Sequence, residues 1–258
     1  MANYLIDTHT HIHDDSDRGD MDAAKTFLHA HENGIEKIIT IGTSPADSLK
    51  ARDFAEEWMK RGEKIFWTYG YHPNEYAEKD RANLQNDIKI ASEAIKSTQN
   101  VGIGEIGLDY HFDGYSAEMQ RELLLEILQL AQDNKKPVSF HVRDAFEDFW
   151  PIFDNFKLPP SVMHSFSDSK KNLEEALNRG LYIGVNGLST FADLAHPPLE
   201  RMIFETDAPY LTPKPFRGTM NMPGYVKHVA EWATNYYEVD FDKVAEITTA
   251  NAEKIFKI

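Results

Sequence analysis

Short apolar runs rich in β-branched and aromatic residues recur along the chain at 4–9 (YLIDTH), 37–42 (KIITIG), 65–71 (IFWTYGY), 101–105 (VGIGE), 137–141 (PVSFH), 161–164 (SVMH), 181–185 (LYIGV) and 202–206 (MIFET). Each has the length and flanks of a buried strand. Between most of them, apolar positions fall at i, i+3, i+4 and i+7, the spacing that gathers side chains on one face of a helix. Such sets are Ala24, Phe27, Leu28 and His31; Ala51, Phe54, Ala55 and Trp58; and Leu124, Ile127, Leu128 and Ala131. A further helix is predicted around Val226, Val229, Ala230 and Ala233, and a last one from about Asp242 to the end. Gly34, Gly62 and Gly180 stand where helices should stop.

Strands alternating with helices imply a parallel sheet, and eight such units in 258 residues predict an α/β fold of the closed (β/α)8, TIM-barrel type. An open doubly wound sheet is the rival. The seventh unit is the weakest, because only GLSTFADLAHPPLE (187–200) separates the last two strands. Its helix should be short or irregular. No linker, low-complexity tract or long repeat interrupts the pattern, so residues 1–258 read as one barrel domain.

Hydrophobic residues make up 41% and charged ones 27%, and no apolar run approaches a membrane span, so a soluble enzyme without a membrane partner is expected. The opening MANYLIDTHTH passes straight into a strand pattern without the basic and apolar regions of an export signal, which predicts a cytoplasmic location. Cysteine is absent, which excludes disulfides, thiolate zinc sites and thiol nucleophiles. Any transition metal must therefore be held by His, Asp and Glu. Lys and Arg number 27 against 42 Asp and Glu, and the resulting −15 repels polyanions and argues against a broad nucleic-acid-coating surface. A phosphate substrate needs local cations. No obligate protein partner is evident.

Gly102, Gly104 and Gly107 spell G-x-G-x-x-G, the loop pattern of dinucleotide sites. That fingerprint belongs to the first βαβ unit and opens directly into a helix. Here it lies on the fourth strand and is followed by LDYHFDGYS, with a helix plausible only near Ala117. The acid within it, Glu105, ends a strand instead, on the face where barrel enzymes keep their chemistry.

The other strand ends carry a matching set: His9 and His11 on the first, His141 on the fifth, His164 on the sixth and Asp207 just after the eighth. Residues at i and i+2 of a strand point the same way, so His9 and His11 can grip one ion while Thr10 points away. Four imidazoles and two carboxylates exceed what one tetrahedral zinc takes but fit two ions sharing a bridging carboxylate. Two metals about 3.5–4 Å apart activate a water and stabilise a leaving oxygen, so hydrolysis is the expected reaction. The His-rich half suits zinc, whereas carboxylates, water and phosphate oxygens suit magnesium or manganese. His29, His31, His196 and His228 lie on helical or peripheral segments and read as structural. His13 continues the alternation but enters the acidic DDSDRGD (14–20), and reads as a bystander.

The stretches IDTHTH, GYHP (70–73), GEIGLDY, FHVRDA, MHSFS, ETDAPYL and NAEKIF resemble, in order from Ile6 to Phe256, the TatD family of metal-dependent deoxyribonucleases. The HxH pair is shared across the wider amidohydrolases, but GEIGLDY together with ETDAPYL is specific. The resemblance implies a two-metal barrel that hydrolyses nucleic-acid phosphodiesters, often as a 3′-to-5′ exonuclease on single-stranded DNA ends. By position it implies one metal on His9, His11 and Asp207, a second on His141 and His164, and Glu105 as the bridge. A glutamate stands where many amidohydrolases use a carboxylated lysine. Asp207 is expected to take the proton from the attacking water.

His72, Arg143 and Arg217 are expected to meet substrate phosphate, Arg being suited to forked contact. Equally, Arg143 would pair with Asp144 or Glu147, and His72 would cap a turn before Pro73. Asp109 is expected to orient a histidine ligand from behind. Tyr69, Tyr71, Tyr110 and Phe112 lie near strand ends, where they either stack bases or pack the core. The competing functions are hydrolysis of a small amide, ester or lactone, and a non-catalytic metal-binding scaffold.

Overall fold

A computed structural model of the chain describes residues 4–14, 22–76 and 78–258, so most of the acidic DDSDRGD segment lies outside the described residues. Eight parallel strands follow one another around a single sheet in chain order. They are β1 (Leu5–Thr10), β2 (Ile35–Ile41), β3 (Ile65–Tyr69), β4 (Asn100–Asp109), β5 (Val138–Arg143), β6 (Val162–Met163), β7 (Tyr182–Val185) and β8 (Met202–Phe204). The segment after β8 returns to β1, where Asp207 N donates to His9 O and His11 N donates to Ala208 O, both at 2.8 Å. Those bonds draw the sheet into a barrel and dismiss the open doubly wound alternative.

Around it run α1 (Ala23–Glu32), α2 (Pro45–Lys60), α3 (Leu84–Ala94), α4 (Ala117–Asn134), α5 (Phe146–Phe153), α6 (Lys170–Asn178), α7 (Val226–Tyr237) and α8 (Phe241–Phe256). Between β7 and β8 there are only two 3₁₀ turns, Gly187–Thr190 and Leu199–Arg201, as the sparse seventh unit predicts. Helix α7 packs onto this connection instead. Its Trp232 ring meets His196 at 4.5 Å, and Tyr237 Oη donates to Pro197 O at 2.5 Å.

The main core lies between sheet and helices and includes Leu5, Ile38, Trp67, Leu124, Phe140 and Val229. A second cluster joins Ile6, Ile39, Val101, Val162, Tyr182 and Ile203 to Ala252, Ile255 and Phe256 at the end of α8. Side chains from six strands meet in this way only inside a barrel, so the lumen is packed, and polar chemistry is confined to its other end.

Strand β4 runs four residues beyond the expected 101–105 because its glycines let it press against β5. A Cβ at Gly107 would lie 1.7 Å from His141 O, and one at Gly104 would lie 2.6 Å from Ser139 O. Their φ angles, +155° and +143°, are also costly for any other residue. The β4–β5 register slips between Ile103 and Ile106, a bulge-like irregularity of the kind that re-aims a side chain, and Glu105 sits within it. No helix opens from the glycines, since α4 begins only at Ala117, with the Ser116 side chain accepting from Met119 N.

Candidate metal centre

At the C-terminal ends of the strands a cavity of about 650 Å³ opens, lined among others by His11, His72, Glu105, His141, Arg143, His164 and Asp207. Glu105, buried by β4, stands at its centre with its two carboxylate oxygens facing different partners. Oε2 faces His9 Nε2 at 3.4 Å and His11 Nε2 at 4.0 Å. Oε1 faces His141 Nδ1 at 2.7 Å, His164 Nε2 at 3.8 Å and His72 Nε2 at 3.9 Å. Asp207 Oδ1 closes the first side, 3.4 Å from His11 Nε2 and 3.7 Å from His9 Nε2. It also lies 3.7 Å from His164 Nε2, so His164 reaches both sides of the carboxylate.

The hydrogen bonds behind the rings decide which nitrogen faces the centre. His11 Nδ1 lies 3.0 Å from Ile41 O, and a carbonyl only accepts, so Nδ1 carries the proton and Nε2 offers its lone pair forward. His164 Nδ1 lies 2.9 Å from Glu205 Oε1, a charge contact from behind the ring without the alignment of a hydrogen bond. His9 Nδ1 contacts Ser139 Oγ at 3.3 Å, and its Nε2 is buried without a hydrogen-bond partner. Thr10 Oγ1 turns away to Ala208 O, as the i, i+2 argument requires. Lone pairs and carboxylate oxygens aimed at common points fit a divalent cation, with the hydrogen-bonded backing that metal-bound imidazoles use.

His141 differs in offering Nδ1 to Glu105 while its Nε2 lies 3.0 Å from Asp109 Oδ2. Asp109 is fixed in turn by Asn74 Nδ2 at 3.1 Å and the His111 N–H at 2.9 Å. His72, His141 and Asp109 bring donor atoms within 4.8 Å of one another. His72 is nevertheless a poor ligand in this pose, because its Nδ1 accepts from Asn74 N at 3.2 Å and the neutral ring must then carry its hydrogen on Nε2. His72 caps the turn at Pro73, as the alternative expectation had it, and the cap leaves an N–H on the side of the ring that lines the cavity.

Burial alone would push the Glu105 carboxyl up, but His164, His141 and His9 around it hold it well below the usual carboxylate range. Asp207 is likewise lowered, its burial outweighed by His11, His164 and His9. Against burial, Asp109 and Glu105 raise His141 to about 9, and Glu205 and Glu105 raise His164 to about 10. Burial lowers His72 to about 4, so that ring is neutral in ordinary buffers. Asp207 adopts a left-handed φ of +59°, a strained conformation that aspartate tolerates better than most and that is characteristic of functional sites.

Arg143 lines the cavity with its guanidinium 5.2 Å from the Phe112 ring centroid, and among the described residues it forms no ion pair with Asp144 or Glu147. Asp144 pairs instead with His111 Nδ1 at 2.8 Å. Arg217, also expected to meet substrate phosphate, stands outside the lining of the cavity. Its Nη1 donates to Thr212 O at 3.0 Å and its guanidinium covers Phe191 at 4.1 Å.

Tyr69 and Tyr71 are buried core residues, and Tyr110 donates to Asp148 Oδ2 at 2.9 Å. Of the four aromatics only Phe112 is exposed. His13, read as a bystander, lines the cavity with Nδ1 2.6 Å from Thr40 Oγ1 and Nε2 3.0 Å from Asp47 Oδ1. Its i+2 spacing from His11 was the available signal. Glu205 was missed because it sits inside an apolar run beside the more obvious Asp207.

A family model described as TatD related DNase matches residues 6–257. The uncharacterized metal-dependent hydrolase YabD of Bacillus subtilis (strain 168) is 32% identical over 263 residues, covering 98% of this chain and 99% of YabD. The 3'-5' ssDNA/RNA exonuclease TatD of Citrobacter rodentium (strain ICC168) is 31% identical over 251 residues, covering 92% of each chain. The crystal structure of YJJV, a TatD homologue from Escherichia coli K12, superposes with a TM-score of 0.86 at 27% identity over 100% of both chains. Among the described residues, no helix is long and apolar enough to cross a membrane.

Proposed function

The chain belongs to the TatD-related DNase family of metal-dependent hydrolases, and from that premise we propose that it hydrolyses nucleic-acid phosphodiester bonds as a 3′-to-5′ exonuclease on single-stranded DNA ends. The observation that carries this reading is the division of Glu105, with Oε2 towards His9 and His11 and Oε1 towards His141 and His164. A carboxylate shared in this way suits two divalent cations, one on His9, His11 and Asp207 and one on His141 and His164, with Glu105 common to both. The whole chain, 1–258, acts as one barrel.

A bound divalent cation supplies Lewis-acid stabilisation of the charge that develops on the phosphoryl oxygens. Asp207, held ionised by the histidines around it, accepts the proton of the attacking water. The neutral His72 ring donates its Nε2–H to a phosphoryl oxygen, and Arg143 offers the cavity's guanidinium to the same or a neighbouring phosphate. Asp109 and Glu205 hold His141 and His164 in the facing orientation.

A substrate panel tests this reading against the small-molecule alternative. Metal-restored protein is offered single-stranded oligonucleotides beside aryl esters, amides and lactones. Oligonucleotide cleavage that chelator abolishes is the expected result. Turnover of the small substrates with intact oligonucleotides would move the function to amide, ester or lactone hydrolysis.

A further inference from the structure

Side chains alone make the cavity a poor electrostatic trap for a polyanion. Among the described residues lining it, Arg143 is the sole Lys or Arg, facing Asp14, Asp47, Glu75, Glu105 and Asp207. The chain as a whole carries −15. Apart from bound cations and Arg143, the lining offers a phosphate chain no Lys or Arg, so contacts that do not depend on charge have room to add to recognition.

Two aromatic residues near the mouth of the barrel offer such contacts, Tyr210 directly and Phe112 through Arg143. Tyr210, three residues after Asp207, lines the cavity with 52% of its surface exposed and its ring edge-on to His11, centroids 6.3 Å apart. Phe112, three residues after Asp109, is 51% exposed and lies under the Arg143 guanidinium. The eight strands follow one another in chain order, so the β8–β1 seam that carries Tyr210 stands across the barrel mouth from the β4–β5 seam that carries Phe112 and Arg143. Each ring offers an exposed flat face at the end of the barrel where the metal cluster lies, and such a face suits a nucleic-acid base.

We propose that Tyr210 on one side and the Phe112–Arg143 pair on the other are base-stacking positions, so that a single strand of nucleic acid lies across the cavity with its scissile phosphodiester over Glu105 and an unpaired base seated at each edge. The inference rests on the nuclease reading above and deepens it. Every base has a π-face, so these positions select single strands without selecting sequence, whereas a duplex keeps its base faces stacked on one another. Arg143 then serves twice, its flat guanidinium covering a ring or a base and its N–H groups meeting the adjacent phosphate.

The test scans an abasic residue, one position at a time, along an end-labelled single-stranded oligonucleotide, with metal-restored wild type and the variants Tyr210→Ala, Tyr210→Leu, Tyr210→Phe and Phe112→Ala. Wild type should lose about 5- to 150-fold in kcat/KM, mainly through KM, at two separate abasic positions. Tyr210→Ala and Tyr210→Leu should show a similar loss on the intact strand and be insensitive to one of those positions, Phe112→Ala to the other. Tyr210→Phe, which keeps the ring, should stay sensitive to both abasic positions. Unchanged melting temperature and metal content identify variants that remain folded, and the leucine variant keeps the bulk if alanine does not. Wild type that cleaves while the folded variants match it at every position overturns the base-stacking assignment alone. Wild type that cleaves no strand fails the nuclease reading and this assignment with it.

Discussion

Asp109 Oδ2 stands 3.0 Å from His141 Nε2, on the opposite edge of the imidazole from Glu105 Oε1, which lies 2.7 Å from Nδ1. The ring is clamped between two carboxylates, Glu105 in front and Asp109 behind. Asp109→Ala releases the rear clamp and should weaken metal binding by about 10- to 100-fold while leaving the fold intact. Chelator competition on the pure variant measures this. Wild-type affinity would remove Asp109 from the account.

Glu205 does for His164 what Asp109 does for His141, from a deeper position. It is 1% exposed, accepts from Ser165 N at 2.7 Å and fills the space beside Gly184, where a Cβ would lie 2.3 Å from its Oε2. Glu205→Gln keeps the shape but removes the charge that favours Nδ1–H on His164. The expected outcome is metal affinity lowered by about 10-fold or more at unchanged substrate KM. A raised KM with normal metal affinity would point to a different role.

In the metal-free protein His141 is raised to about 9 and His164 to about 10, despite burial, by Asp109, Glu105 and Glu205. Both rings therefore hold a proton near neutral pH, and a cation must displace those protons to bind. Affinity should rise as pH climbs towards those values and fall as pH drops. Calorimetric titration in buffers of different ionisation enthalpy should show net proton release on filling the site near neutral pH. Binding that is indifferent to pH would contradict the assignment of these two rings as ligands.

The same logic runs the other way for Asp7 on β1. It is fully buried, and burial pushes its carboxyl from 3.8 to about 8 against the hydrogen bonds from Thr206 and His9. A folded value above the unfolded one means that the native state holds the proton more tightly. The stability this gives is present below pH 3.8 and is lost as pH rises towards 8. Metal-free Asp7→Asn should be more stable than wild type by a few kcal/mol near the upper end, with the difference vanishing at acid pH. Chemical denaturation across that range checks it, and a constant difference would refute it.

The barrel was legible because its strands are continuous apolar runs, and the chemistry was legible because a polar residue ending such a run is conspicuous. His9, His11, Glu105, His141, His164 and Asp207 converge for that reason. Helices α3, α5 and α6 were less so. In α5, FEDFWPIF buries Phe146, Phe149, Trp150 and Phe153, leaving little polar face to give a period, and α6 buries only Leu173 and Ala176. Arg217 shows the limit at the site itself. A lone arginine near the chemistry advertises phosphate, and only the fold reveals that Thr212 O and the Phe191 ring hold its guanidinium. Tyr210 went unremarked because its exposure depends on the turn after Asp207, which local pattern does not encode.

The central claim is that this protein cuts nucleic acid through cations gathered on Glu105. The most direct measurement follows single-stranded oligonucleotides, labelled at one end or the other, during incubation with metal-stripped wild type and Glu105→Ala as Mg²⁺, Mn²⁺ or Zn²⁺ is restored singly. Wild type should shorten the strand stepwise from its 3′ end once the working ion is present and leave it intact under chelator, and folded Glu105→Ala should leave it intact throughout. Undiminished cleavage by Glu105→Ala, or cleavage by wild type without metal, would contradict the account.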